Sequence, residues 1–220
     1  MKKIAHLGLS LLLGASLLSG PPSLARSAQN KTNTIQQRTA LQRSVQPPPT
    51  LPTAVQLNNL GFVYQTYNNC GPAALVSVLG AYGLRADQAA LAAELRPGGG
   101  YMTADVIDPF LRPLGLRATR FRSGQLGHLK SLIRAGYPVV VLQWMNQVGA
   151  VPHFRVVRGF DDGSQRIFMS DPIYGPNVYL SYADFDRLWN VYGQEFIPVY
   201  PATDAARVAR ILGVRAVNGS

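Results

Sequence analysis

The chain has 220 residues, of which 47% are hydrophobic, and a formal net charge of +10. This hydrophobic content is enough for a packed core and excludes an unfolded polar chain. Residues 57–200 hold 12 basic and 10 acidic side chains, so the body is nearly balanced and does not have the charge of a nucleic-acid-binding protein. Much of the excess positive charge lies before the body, at Arg26, Lys31, Arg38 and Arg43. We expect these residues to keep a linker soluble; the alternative is weak contact with anionic envelope polymers.

The first 25 residues have the pattern of a secretory signal peptide. Lys2 and Lys3 give a positive start, residues 4–18 are mostly apolar, and Ser23-Leu24-Ala25 fits a cleavage site. The apolar stretch is short for a membrane span of ~20 residues, so we expect cleavage and no integral membrane segment afterwards. The sequence therefore predicts an extracytoplasmic protein, secreted or held in the periplasm or cell envelope.

A linker and a single folded body are expected to follow the signal. Residues 26–56 are rich in Gln and Pro and are typical of a linker. The body is predicted over 57–202, with residues 203–220 forming a short helix and tail. Apolar spacing and breaker residues predict helices over 71–82, 87–95, 103–111 and 125–135.

Strand patterns dominate the second half of the body. They cover residues 138–142, 153–160, 166–170, 177–180 and 195–200, with a helix over 182–189. Asp161-Asp162-Gly163 predicts a turn that joins the second and third of these strands into a hairpin. Helices followed by strands predict an α+β fold, with N-terminal helices packed on a C-terminal antiparallel sheet.

Cys70 is the only cysteine, so no intramolecular disulfide is possible. It stands where a loop enters a helix, just before Gly71-Pro72. The free N–H groups and positive potential of a helix N-terminus favour a thiolate over a thiol. A small buried structural cysteine is the alternative interpretation. The position before a helix start favours a nucleophile, and Gly71 is expected to let a substrate backbone come close.

A thiolate nucleophile needs a base, and His153 is the best candidate. His6 lies in the signal peptide, and His128 lies in a polar helix that is predicted to be exposed. His153 begins a strand, where a sheet edge would hold its ring. The predicted hairpin places Asp171 beside His153 as an orienting acceptor, whereas Asp161 and Asp162 lie at the hairpin's far tip.

Gln65 completes the candidate site. It lies five residues before Cys70, so its amide N–H can point towards the same space. Together with the Cys70 backbone N–H, it is suited to stabilise an oxyanion.

These motifs resemble those of one bacterial peptidase family. The blocks are Gln65, Asn69-Cys70-Gly71-Pro72-Ala73, His153-Phe154-Arg155-Val156-Val157 and Asp171-Pro172. They are similar to the peptidase domains that process double-glycine bacteriocin leaders. The resemblance implies a papain-like fold over about residues 60–200, with Cys70 as nucleophile, His153 as base, Asp171 as orienting residue and Gln65 as oxyanion donor. The transporter-linked members face the cytoplasm, whereas this chain carries its own signal, so general peptide hydrolysis is expected rather than leader processing.

The predicted function is therefore an exported cysteine peptidase acting on a peptide or protein substrate. No cofactor or metal is expected, because one cysteine and two usable histidines make a zinc site a poor fit. Two alternatives remain: an acyl transferase or cell-wall peptide amidase with the same triad, and a peptide-binding module without catalysis.

Overall fold

The computed structural model describes residues 50–214, which form one large sheet with helices packed against it. The helices are α1 (Cys70–Ala81), α2 (Gln88–Leu95), α3 (Ile107–Leu111), α4 (Leu126–Arg134), α5 (Tyr182–Leu188) and α6 (Ala205–Ile211). The strands are β1 (Ala54–Gln56), β2 (Leu116–Ala118), β3 (Val139–Trp144), β4 (Pro152–Asp161), β5 (Arg166–Asp171), β6 (Gly175–Ser181) and β7 (Phe196–Pro201). Three short 3₁₀ turns, Ala104–Val106, Arg112–Leu114 and Ala202–Asp204, adjoin the helices.

The sheet is antiparallel throughout and has the order β2-β7-β3-β4-β5-β6, with β1 also paired to β4. The long strand β4 pairs with β3 on one edge and with β5 on the other, and the β4–β5 hairpin turns at residues 162–165. This agrees with the α+β fold and the hairpin expected from the sequence.

Hydrophobic clusters cover both faces of the sheet because buried strands alternate their side chains between faces. Val140 and Leu142 of β3 pack in the same cluster as α1 and Cys70. Val139 and Val141 of the same strand pack in a second cluster with α4 and α5. Helices therefore lie on both faces, with α1–α3 on one and α4–α6 on the other.

Helix α1, which begins at Cys70, is fixed firmly against its surroundings. Its side chains are buried almost all round, as expected for a helix with apolar residues on every face. Ser77 shares a buried hydrogen bond of 2.9 Å with Ser170 of β5. At Gly80 a Cβ atom would come within 2.2 Å of the Gly61 nitrogen, so only glycine allows the Gly61 segment to cross here.

The folded part begins earlier than the predicted boundary at residue 57. Ala54–Gln56, assigned to the linker, pair with Asp161, Phe160 and Gly159 of β4. Val55 packs against the second core cluster, and this long-range contact orders three residues that have no strand pattern of their own. The predicted signal peptide, most of the linker and residues 215–220 lie outside the described residues.

Strand β2 lies outside the strand segments predicted above, because its three residues are too few for a pattern. Within residues 50–214, no helix is both long enough and apolar enough to span a bilayer.

Candidate active site

The thiol of Cys70 lies at the first position of α1 and is 8% exposed. The preceding residue, Asn69, does not cap the helix with its side chain. Its Oδ1 instead accepts a hydrogen bond of 2.8 Å from Nε of Arg96. The first amides of α1 therefore keep their partial positive charge available at the thiol.

The β4–β5 hairpin brings His153 and Asp171 together. His153 lies near the start of β4 and Asp171 ends β5, and both side chains are 1% exposed. Nε2 of His153 lies 2.9 Å from Oδ1 of Asp171. The ring also lies against the Cys70 thiol, close enough for each group to shift the pKa of the other. Because Nε2 faces the carboxylate, Nδ1 is the nitrogen that faces the sulfur.

The contacts of the thiol favour its ionised form. Burial acts to raise the pKa of Cys70, but the hydrogen bond to His153, the backbone N–H of Phe154, the charge of His153 and the N–H of Gly71 together lower it. For His153, burial acts to lower the pKa, but hydrogen bonds to Asp171 and Cys70 and the charge of Asp171 outweigh it, so the pKa is raised. The two shifts have the directions that a thiolate–imidazolium pair requires.

A buried arginine holds the other side of the Asp171 carboxylate. Nε of Arg155 donates to Oδ2 at 2.6 Å. Burial acts to raise the pKa of Asp171, but His153 and Arg155 hold it well below its usual range. The remaining N–H groups of Arg155 donate to Oε1 of Gln143 and to the backbone oxygens of Trp144 and Met145. The sequence interpretation missed this role of Arg155, although a charge inside an apolar strand is rarely buried without a partner and was a usable signal.

The loop that carries Gln65 is fastened to both sides of the site. The backbone N–H of Gln65 donates to the backbone oxygen of Pro172 at 2.9 Å, which links Gln65 to the residue after Asp171. The buried Gln88 of α2 accepts a hydrogen bond from the Thr66 N–H and donates one to the Tyr64 oxygen, and so clamps the residues on either side. Among residues 50–214, the buried Oε1 of Gln65 has no hydrogen-bond partner.

Two cavities meet at Cys70. The first has a volume of about 390 Å³ and is lined by Met102, Leu142, Phe154 and Glu195, among others. The second has a volume of about 540 Å³ and is lined by Gln65, His153 and the residues around them. Tyr101, Val151 and Pro152 line both cavities. The thiol thus lies in the middle of a cleft, with room for a bound chain on both sides.

The alternatives for the base and the orienting residue lie elsewhere. Nδ1 of His128 accepts from the Gln125 N–H at the start of α4, and its ring stacks on Phe196. Asp161 bonds the turn residues after it, and Asp162 pairs with Lys130 at 2.6 Å. None of these three side chains lines either cavity at Cys70.

One local expectation was wrong. The space above Gly71, expected to admit a substrate backbone, is filled by Met102, whose Cε lies 2.5 Å from where a Cβ would be. Gly71 is therefore needed for packing between α1 and the segment before α3, and the cleft opens beside Met102.

Comparison with known proteins agrees with this geometry. The model of the Peptidase_C39 like family matches residues 50–197, which is more than half of the chain. The chain belongs to the Peptidase_C39 like family. No curated protein is significantly similar to it in sequence.

Three solved structures share the fold of this C39-like chain. The peptidase domain of Streptococcus ComA, a bi-functional ABC transporter involved in a quorum-sensing pathway, aligns over 66% of this chain and 99% of its own, with 22% identity and a TM-score of 0.52. A C39-like peptidase from Bacillus anthracis aligns over 68% of this chain and 98% of its own, with 19% identity and a TM-score of 0.53. A double glycine motif protease from an AMS/PCAT transporter was solved in complex with a leader peptide. It aligns over 67% of this chain and 94% of its own, with 20% identity and a TM-score of 0.51. At these identities the similarity shows the C39 papain-like peptidase fold.

Proposed function

We propose that this protein is an exported cysteine peptidase that hydrolyses peptide bonds with Cys70 as its nucleophile. The observation that carries the proposal is the position of the His153 ring, which contacts the Cys70 thiol with one nitrogen and the Asp171 carboxylate with the other. The contact lies between two cavities that can hold a chain on either side of the sulfur. Membership of a peptidase family supports the same reaction class.

The chemistry begins with proton transfer from the Cys70 thiol to Nδ1 of His153. The sulfur attacks the carbonyl carbon of the scissile bond, and His153 then gives its proton to the leaving amine as the C–N bond breaks. Water, activated by the neutral imidazole, adds to the thioester and releases the acid and the free thiolate. Asp171 keeps the ring oriented and stabilises the imidazolium while it exists.

Gln65 and the Cys70 backbone N–H are the proposed oxyanion donors. The Cys70 amide is at the first helical position, where no intrahelical acceptor is present. The Gln65 side chain lines the same cavity as His153, and none of the hydrogen bonds among residues 50–214 engages its Nε2. Donors held in place before the reaction act on the charge that develops in the transition state.

Export is proposed on the basis of the signal pattern alone. Cleavage after Ala25 would give a mature protein that begins near Arg26 and lies outside the cytoplasm. N-terminal sequencing of the cellular protein tests this, and intact Met1 on cytoplasmic protein would contradict it.

Mass-spectrometric profiling of peptide pools with wild-type protein and the Cys70→Ala variant tests the peptidase function. We expect new free amines and carboxylates with the wild type and none with the variant. A new amide product would instead indicate acyl transfer. Unchanged pools that still bind the protein would indicate a binding module.

A further inference from the structure

One wall of the 390 Å³ cavity is a row of residues from three neighbouring strands. Phe154 of β4 pairs with Leu142 of β3, and Glu195 comes immediately before the point where β7 pairs with β3. All three residues line the cavity. Two strand spacings, about 10 Å, separate Glu195 from Phe154, the neighbour of His153 in the chain. A carboxylate therefore lies across the cavity from the proposed reacting groups.

Only one of the two carboxylate oxygens of Glu195 accepts hydrogen bonds within residues 50–214. Its Oε2 accepts hydrogen bonds from Nη2 of Arg120 at 2.7 Å and from Nε at 3.1 Å. Its Oε1 is buried and accepts none from any residue between 50 and 214. An acceptor buried without a donor is unfavourable in a native protein and calls for an explanation such as a ligand.

The two buried side-chain oxygens without partners in the described part of the chain belong to Gln65 and Glu195. Each residue lines one of the two cavities that meet at Cys70. Unsatisfied buried groups are few in native proteins, and here each lies in the lining of a cavity that reaches Cys70. Glu195 therefore presents a buried acceptor without a donor to the first cavity, where a ligand group could supply the donor.

The residues that line the first cavity indicate which chemical group of a substrate it could bind. Met102, Leu142 and Phe154 give it apolar walls. Its charged lining residues are Asp105, Glu195 and Arg120, two carboxylates against one guanidinium, so the lining has one excess negative charge. A long aliphatic stem that ends in a cationic donor matches both properties.

We propose that this cavity is a subsite for a basic side chain of the peptide substrate, and the proposal rests on the peptidase function above. The aliphatic stem packs on the apolar walls, and the terminal cation donates to Oε1 of Glu195. Glu195 then lies between two cations, the ligand's and that of Arg120, while the exposed Asp105 offsets the second positive charge. The substrate accordingly carries a lysine-like residue close to the scissile bond.

The test measures binding, so that it does not depend on turnover. Alanine-based hexapeptides that contain a single Lys or a single norleucine, scanned through every position, are titrated calorimetrically into the Cys70→Ala protein. At one position we expect Lys to bind about tenfold more tightly than norleucine, the size of one hydrogen bond to a charged group. Adding Glu195→Gln should abolish the difference, and Glu94→Gln, an exposed carboxylate on α2, should preserve it.

Equal affinity of the Lys and norleucine peptides at every position, or no binding at all, would overturn the subsite. A Lys advantage that survives Glu195→Gln would do the same. If Glu195→Gln does not fold, the exposed Asp105→Asn variant replaces it, with a smaller reduction expected and no reduction contradicting the proposal. A Lys preference in a protein that cleaves no peptide would refute the peptidase function alone, and cleavage without any Lys preference would refute the subsite alone.

Discussion

Arg155 donates from Nε to Oδ2 of Asp171 at 2.6 Å, on the opposite carboxylate oxygen from the one that faces His153. The two residues are almost completely buried, and the arginine's other donors are satisfied by Gln143 and two backbone oxygens. Asp171 is therefore held from both sides, by the ring of His153 and by the guanidinium of Arg155, which lies two positions after His153 on β4.

Replacing Arg155 by Met should destabilise the protein by about 3–5 kcal/mol, because it leaves the buried Asp171 with less compensating charge. Chemical denaturation measures this loss. The matched control is Arg187→Met, which removes an exposed arginine paired with Asp184 and should cost less than about 1 kcal/mol. Equal losses for the two variants would show that the buried pair does not stabilise the fold.

The carboxylates of the hairpin should differ in their effect on turnover. Asp171→Ala should lower kcat/KM for a cleaved peptide more than Asp161→Ala or Asp162→Ala, because only Asp171 contacts His153. Asp161 bonds the turn and Asp162 pairs with Lys130, both at the far end of the hairpin. Circular dichroism must show intact folding for all three variants, and equal losses would mean that Asp171 does not orient the base.

Asp171 should also make the protein sensitive to acid. Its folded-state pKa lies well below the unfolded value of about 3.9, so its contribution to stability is present above pH 4 and is lost as the pH falls. The free energy of unfolding of Asp171→Asn should therefore be lower at neutral pH and fall less steeply below pH 4. Asp186→Asn, at an exposed position on α5, is the control and should follow the wild-type curve; a wild-type slope in Asp171→Asn would contradict the assignment.

Replacing Gln65 should lower the turnover rate without changing the reactivity of the Cys70 thiol. We expect Gln65→Ala to lower kcat by about 10²–10³-fold, the usual cost of one oxyanion donor, with little change in the rate at which Cys70 is alkylated. Gln56→Ala on β1 serves as the control. If alkylation slows as much as turnover, Gln65 supports the site structurally, and if neither changes it is not an oxyanion donor.

The elements of the site followed from local sequence signals. The β4–β5 hairpin has two apolar strands and an Asp-Asp-Gly turn, and this pattern alone predicted that Asp171 lies beside His153. The start of α1 was likewise readable from Gly71 and Pro72 after Cys70. Each of these signals lies within a few residues of the feature that it predicts.

The missed features depend on contacts between distant parts of the chain. Strand β1 exists because it pairs with β4 about 100 residues away, and its three residues have no periodicity. The Glu195–Arg120 pair joins positions 75 residues apart, and Glu195 is buried only because β7 lies beside β3. Without the sheet order, an acidic residue at the start of a predicted strand looks like an ordinary exposed residue.

The most direct test of the central claim is the pH dependence of Cys70 alkylation by iodoacetamide. A thiolate held by His153 should react well below the ordinary thiol pKa of about 8.5, since the hydrogen bond and charge of His153 act against the effect of burial. His153→Ala should shift the alkylation midpoint to higher pH, because burial then acts against the backbone amides alone. A wild-type curve with an ordinary thiol midpoint, overlaid by that of the variant, would mean that the Cys70–His153 pair does not operate.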